Sequence, residues 1–161
     1  MDSAPIPPLQ LAHESLHAIR ALIPQRDVTV AAVSAWSVGE QIHHAALVAR
    51  AISERLDRSG QPAPRTLRSL LGQVVLWRNG FPRGRAKAPS AVLPASGLSA
   101  DRLNAAIDQA GEALVAASAL PSEAWVRHFI LGIYRRDDAL RFVAVHTRHH
   151  LAIARDIITA A

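Results

Sequence analysis

An all-α protein built as a four-helix bundle is the fold class this sequence predicts, and three observations carry the prediction. Half of the 161 residues are hydrophobic but only 4% are aromatic, so the core must be built from Ala, Leu, Val and Ile, which suits closely packed helices. Apolar residues recur at helical spacing in four long segments. No segment of any length alternates as a strand does, and there is no internal repeat. A chain of this length fits a single domain, spanning 1–161, with a core large enough to need neither disulfides nor a structural metal.

The first helix places Leu9, Ala12, Leu16, Ile19 and Ile23 on one face, and Pro24 closes it. WSVGEQIHH announces the second. Ser37 and Glu40 form an S-x-x-E capping box ahead of a stripe of Val38, Ile42, Ala45, Ala49, Ile52 and Leu56. A turn around SGQPAP precedes a short amphipathic helix from about Leu67 to Trp77, which Gly80 and Pro82 stop. FPRGRAKAPSAVLPASG holds too many Pro and Gly for regular structure and reads as a long surface connection. Ser99 then caps a third long helix with Leu103, Ala106, Ile107, Ala110 and Leu114 inward, and Pro121 ends it or its following turn. Asp137 caps the fourth, which runs to about Ile158. The crossover containing the short helix is long enough to make helices two and three run parallel, so the expected order is up-down-down-up.

Composition narrows the function. The absence of Cys excludes a disulfide framework and a thiolate metal site, so any metal must use His or carboxylate. The start MDSAPIPPLQ lacks the basic and apolar regions of a secretory signal, and no stretch approaches the roughly 20 apolar residues of a membrane span. A soluble, cytoplasmic protein without a membrane partner is expected. The net charge of +5 is local: Arg58, Arg65, Arg68, Arg78, Arg83, Arg85 and Lys87 fall between Arg58 and Ala100 with no Asp or Glu, leaving 11 positive residues against all 13 acids elsewhere. Trp77 and Phe81 within this segment give the cationic and aromatic mixture of a weak nucleic-acid binder. The favoured account is solvated arginines on the longest loop, held down by Trp77 and Phe81, because no recognised nucleic-acid module is present.

Of eight histidines, three fall in HTRHH, residues 146–150. At about 100° per residue, His146 and His150 lie inside the apolar arc of the fourth helix. That arc runs from Phe142 through Ile153, Ile157 and Val143 to Leu140, Leu151 and Ala144. Arg141, Arg148, Arg155 and Asp156 take the opposite face, and His149 sits just outside the apolar edge, where a solvent-facing histidine is the favoured account and reach to a substrate from the rim the alternative. Two imidazoles at i and i+4 in an apolar wall are costly unless satisfied, and the same spacing supplies two metal ligands without strain. A third ligand must come from elsewhere. The candidates are His43 or His44, of which His44 lies nearer the apolar stripe, His13 or His17 on a flank expected to face solvent, His128 in the loop before the fourth helix, or Glu40.

W-S-x-x-E-x-x-x-H in WSVGEQIHH, with Trp36, Ser37, Glu40 and His44, and H-x-x-x-H in RFVAVHTRHHL, with His146 and His150, resemble the two signatures of the DinB/YfiT-like metalloenzyme family. NGFPRGRAKAP and RHFILGIYRRDDALRFVAVHTRHH resemble a branch of it whose function is uncharacterised. The resemblance implies an up-down-down-up bundle, often a homodimer, with one divalent ion held by one histidine of the second helix and two of the last. By position these are His44, His146 and His150. Some family members are similar to thiol S-transferases that use bacillithiol, mycothiol or glutathione, and others to hydrolases. The C-terminal HTRHHL departs from the commoner H-x-x-x-H-R-G-Q.

The expected function is thus a metal-dependent transferase or hydrolase acting on a small molecule, with a low-molecular-weight thiol as a candidate partner and no general base assigned. Zinc or nickel leads as the ion, with iron and manganese behind, because imidazole suits all of them. The alternatives are a non-catalytic helical dimerisation or interaction protein, and a weak nucleic-acid binder acting through residues 58–100.

Overall fold

Stripes of Ala, Leu, Ile and Val at helical spacing give the chain four long helices, each with one dry face. The computed structural model describes residues 6–56, 69–78, 80–81, 88–128 and 130–161. Helix α1 spans Pro8–Arg20, α2 Val38–Glu54, α3 Leu70–Arg78, α4 Ala100–Ser118 and α5 Arg136–Thr159. Short 3-10 turns occupy Ile23–Gln25 and Ser90–Val92. The structure is mostly helical but not all-α, since an antiparallel hairpin of β1, Trp125–His128, and β2, Gly132–Arg135, precedes α5.

Pro8 opens α1 because its fixed φ suits the first helical position, where the missing N–H has no partner to lose. The helix ends at Arg20, and Pro24 lies inside the 3-10 turn that follows instead of closing the helix itself. At α2 the expected capping box forms: the Glu40 amide donates to Ser37 Oγ at 3.1 Å and the Ser37 amide to Glu40 Oε2 at 2.7 Å. Gly39 lets this first turn approach the preceding loop, its amide bonding the Arg26 carbonyl at 2.8 Å. A Cβ at Gly39 would stand 3.0 Å from the same oxygen. Ser99 caps α4 through the Arg102 amide. For α5 the N-cap is Arg135, not Asp137; Asp137 and Asp138 fall in the first turn, where carboxylates still complement the positive end of the helix dipole.

The hairpin is too short for alternation to be visible in the sequence. Each strand has four residues, paired Trp125 with Arg135 through His128 with Gly132, and its Val126–Tyr134 pair is buried against the helices. Gly132 at φ 87° takes the left-handed conformation in which a side chain would be strained. His128, expected in a loop, ends β1, and its Nδ1 accepts the amides of Ile130 and Leu131 at 3.2 Å each. Residues 67 and 68, at the expected start of the short helix, lie outside the described residues, as do Arg58, Arg65, Arg83, Arg85 and Lys87 of the basic segment.

Packing joins α1 to α5 and α4, and α2 to α4 and α5. The start of α2 lies beside the start of α4, tied by Ser96 Oγ to Glu40 Oε1 at 2.7 Å, and Arg50 meets Gln109 further along both helices. Pro8 and Leu9 at the start of α1 share a cleft with Arg136, Asp137 and Leu140 at the start of α5. Ala45, Ala46 and Ala49 of α2, Ala110 and Ala117 of α4, and Ala139, Ala144 and Ala154 of α5 are all buried. Such small side chains shorten the distance between helix axes, which is how so few aromatics suffice. Among the described residues no helix is long and apolar enough to cross a membrane.

Helix α3 leans on the hairpin through Gly72. Its amide is capped by Ser69 Oγ, Ser69 in turn donates its amide to the Leu131 carbonyl at 3.1 Å, and Arg141 of α5 donates to the Leu76 carbonyl. A Cβ at Gly72 would lie 2.3 Å from that Leu131 oxygen, so Gly72→Ala is expected to lose about 1–3 kcal/mol through overpacking. Gly111→Ala, inside α4 with its nearest contact at 3.7 Å, should instead gain about 0.5–1 kcal/mol from helix propensity. Urea unfolding of the two variants checks the opposite signs.

Candidate metal centre

The face of α5 that carries His146 and His150 is otherwise mostly apolar, with Phe142 among its aliphatic side chains, and the facing side of α2 supplies His44. The ring centroids of His44 and His146 lie 5.2 Å apart, those of His44 and His150 4.6 Å, and those of His146 and His150 4.5 Å. One nitrogen from each ring lies within 4.8 Å of the other two, so the three could hold a metal ion. Among the described residues no Asp or Glu joins the group.

Each ring is held differently. His44 Nδ1 lies 2.6 Å from the Val92 carbonyl, and His150 Nδ1 2.6 Å from Gln41 Oε1. Both partners are oxygens that only accept, so each Nδ1 carries the proton and each Nε2 keeps a lone pair. This is the arrangement in which a histidine ligates a metal while an outer partner fixes its tautomer. His146 Nδ1 is sealed from solvent with no hydrogen-bond partner. An orphaned buried nitrogen beside two lone pairs fits a divalent ion, because coordination satisfies what no protein group does.

Electrostatics keep the rings neutral. Burial holds His146 well below the usual histidine range, reinforced by His44, His149 and His128. Burial likewise depresses His150, with His146, His44 and His149 adding to it. For His44 burial again dominates, opposed by the Val92 carbonyl and aided by His43. Neutral imidazole is the ligand form, so no proton competes near neutrality.

Aromatic rings wall the cluster. Trp36 lies 4.9 Å from His44 and stacks on His150 at 6.2 Å, while Phe142 stacks on His146 at 5.7 Å. Phe81 sets its edge against His146 at 5.6 Å and lies 5.5 Å from His149. Phe81 thus packs down as expected; Trp77 does not, being 81% exposed. His149 sits at the rim beside Phe81 and edge-on to His150.

The remaining candidates fall elsewhere. His43 Nδ1 accepts the Ala95 amide at 3.0 Å, tying down the approach to α4. His13 is half-buried near Gly111 of α4, not on a solvent flank, and His17 is exposed. Glu40 is engaged by Ser37 and Ser96; burial works against its charge, but those hydrogen bonds hold its carboxyl below the ordinary value. Gln41 and Val92 escaped the sequence reading. Gln41 could have been found, as a polar residue between Val38 and Ile42 of the apolar stripe; the Val92 carbonyl carries no side-chain signal.

A helical protein whose last helix brings two histidines to meet one from α2 belongs to the class of buried three-histidine clusters able to bind a metal. The family described as the DinB superfamily matches residues 9–154, and the chain belongs to it. No curated protein and no solved structure matches the chain.

His128, outside the three-ring group itself, carries a pH test of its own. Burial lowers it to about 4, and its Nδ1 must stay unprotonated to accept the two turn amides. A histidine depressed on folding contributes stability that is complete above its unfolded value near 6.5 and is lost as pH falls towards 4. The urea midpoint should therefore drop between pH 7 and pH 4.5, and drop less in His128→Asn, which retains an acceptor.

Proposed function

We propose that the chain is one up-down-down-up four-helix domain in which His44, His146 and His150 hold a single divalent ion, and that it is a metal-dependent enzyme acting on a small molecule. Superfamily membership and the convergence of the three rings support this reading, and the observation that carries it is the pair of acceptor oxygens 2.6 Å from Nδ1 of His44 and of His150. The parallel contacts of α2 with α4, and the shared cleft at the starts of α1 and α5, support the helix order.

The chain's own residues then have separable tasks. Val92 and Gln41 orient two ligands, and the depressed basicity of all three keeps them unprotonated. Trp36, Phe81 and Phe142 exclude water from the ring cluster. His44, His146 and His150 would hold the ion, which would supply Lewis acidity for generating a nucleophile at neutral pH. Three protein ligands leave positions open for such a molecule, which is a catalytic arrangement. Thiol S-transfer or hydrolysis is the reaction class proposed, with zinc or nickel the leading ion, iron or manganese behind, and a low-molecular-weight thiol the first substrate to try. A cytoplasmic setting goes with this reading, and a chain without cysteine is compatible with it.

Purified protein should contain about one ion per chain, and a His146→Ala, His150→Ala double variant that retains its helical circular dichroism should lose it. Equal metal content in the two proteins sinks the reading; a thiol screen on the loaded wild type then separates transferase from hydrolase.

A second reading, an interaction protein that forms homodimers, is favoured by α3. That helix is apolar on both sides: Val75 and Leu76 are buried, while Leu70 and Trp77 are more than four-fifths exposed and Leu71 and Val74 nearly half. A helix apolar all round calls for cover on both faces. Sedimentation should show a dimer that Leu70→Ser, Trp77→Ser converts to monomer; a wild-type monomer at high concentration rules it out.

A further inference from the structure

Gln41 is an amide only 1% exposed on a helix face where, besides His44 and Ser53, the buried side chains are aliphatic. A buried amide is costly unless both of its ends are bonded, and here both are. Oε1 takes His150 Nδ1–H at 2.6 Å, and Nε2 donates to Ser34 Oγ at 3.0 Å, an oxygen that also takes the Trp36 amide at 3.1 Å. In this arrangement Ser34 engages the amide nitrogen and the amide oxygen faces the ring. The opposite orientation would present N–H to Nδ1, move the ring proton to Nε2 and remove His150 as a ligand.

Charge is the second consideration. Metal-ligating histidines commonly donate to a carboxylate, which raises their basicity and offsets part of the ion's charge. In this protein the two outer acceptors are an amide oxygen and a backbone carbonyl, both uncharged. Among the described residues, the ionisable neighbours that act on the three rings are themselves imidazoles, His43, His128 and His149.

Resting on the metal-centre reading above, we infer that Gln41 is a positioning residue that fixes His150 as a ligand through Nε2 while adding no negative charge, so that the centre keeps its cationic character and favours an anionic donor in its open position. Removing the amide leaves His150 free to change tautomer and leaves its Nδ1–H without a partner. Replacing the amide by a carboxylate keeps the hydrogen bond and alters only the charge. The two changes thus separate orientation from electrostatics.

The test is cobalt(II) titration of metal-free wild type, Gln41→Leu and Gln41→Glu against a competing chelator, followed by azide titration of the loaded proteins through the cobalt absorption bands. Gln41→Leu should bind cobalt about 10–100-fold more weakly. Gln41→Glu should bind cobalt at least as tightly as wild type but azide about tenfold more weakly, since a unit charge a few ångströms from the ion repels the anion. In proton spectra of the cobalt forms, the shifted exchangeable ring N–H of His150 should persist in Gln41→Glu and vanish in Gln41→Leu while that of His44 remains, which a merely structural role for Gln41 does not predict. Wild-type cobalt affinity in the leucine variant, or unchanged azide affinity in the glutamate variant, overturns the inference. Should the leucine variant fail to fold, the azide comparison decides alone. Wild type that takes up no cobalt at all ends the metal-centre reading instead, a result distinct from either.

Discussion

Imidazole nitrogen cannot be buried for nothing, and that constraint organises this molecule. Two histidines one turn apart on the dry face of α5 bring four ring nitrogens to the helix interface. Each must meet a partner there or lose the hydration it had in the unfolded chain. Gln41 near the start of α2 meets one of them, Val92 holds His44 on the facing side, and both come from segments remote in sequence. Satisfying the rings therefore sets how α2 and α5 lie against each other.

The start of α2 is built to tolerate no slip. Its capping box fixes the first turn, the Gly39 amide anchors that turn to Arg26, and Glu40, His43 and His44 then reach the 92–96 stretch at Ser96, Ala95 and Val92 in turn. Three residues of one helix thus hold an otherwise irregular strand of chain against it. A rotation of α2 that misplaced His44 would break the bonds of Glu40 and His43 as well. The ring positions are consequently a property of the helix start and the crossover together, with each bond contributing on the order of 1 kcal/mol.

Much of this was legible in the sequence. The stripes of α2 and α4, the Ser37–Glu40 box, the Ser99 cap and the inward aspect of His146 and His150 follow from periodicity and capping chemistry, which are local. The choice of His44 over His43 came from resemblance, because the two are adjacent and neither is central in the stripe. What escaped was non-local or backbone-borne: the hairpin, whose four-residue strands are stabilised by docking against the helices; the Val92 carbonyl, which has no residue signature; and the half-burial of His13 against α4. Asp137 was assigned the cap of α5, but the strand leading in from Tyr134 sets the helix start two residues earlier, at Arg135.

Gln41 and His150 are 109 positions apart, and this separation bears on the order of assembly. Chains emerge from the ribosome N-terminus first, at about 5–20 residues per second. Helices α1, α2 and α4 are therefore available before α5 exists to join them, and a buried amide waits in α2 with only Ser34 to engage it. The three-ring cluster is completed by α5, so a site with all three ligands exists only once that helix has docked. While only the earlier helices have formed, the nascent chain offers no three-histidine site.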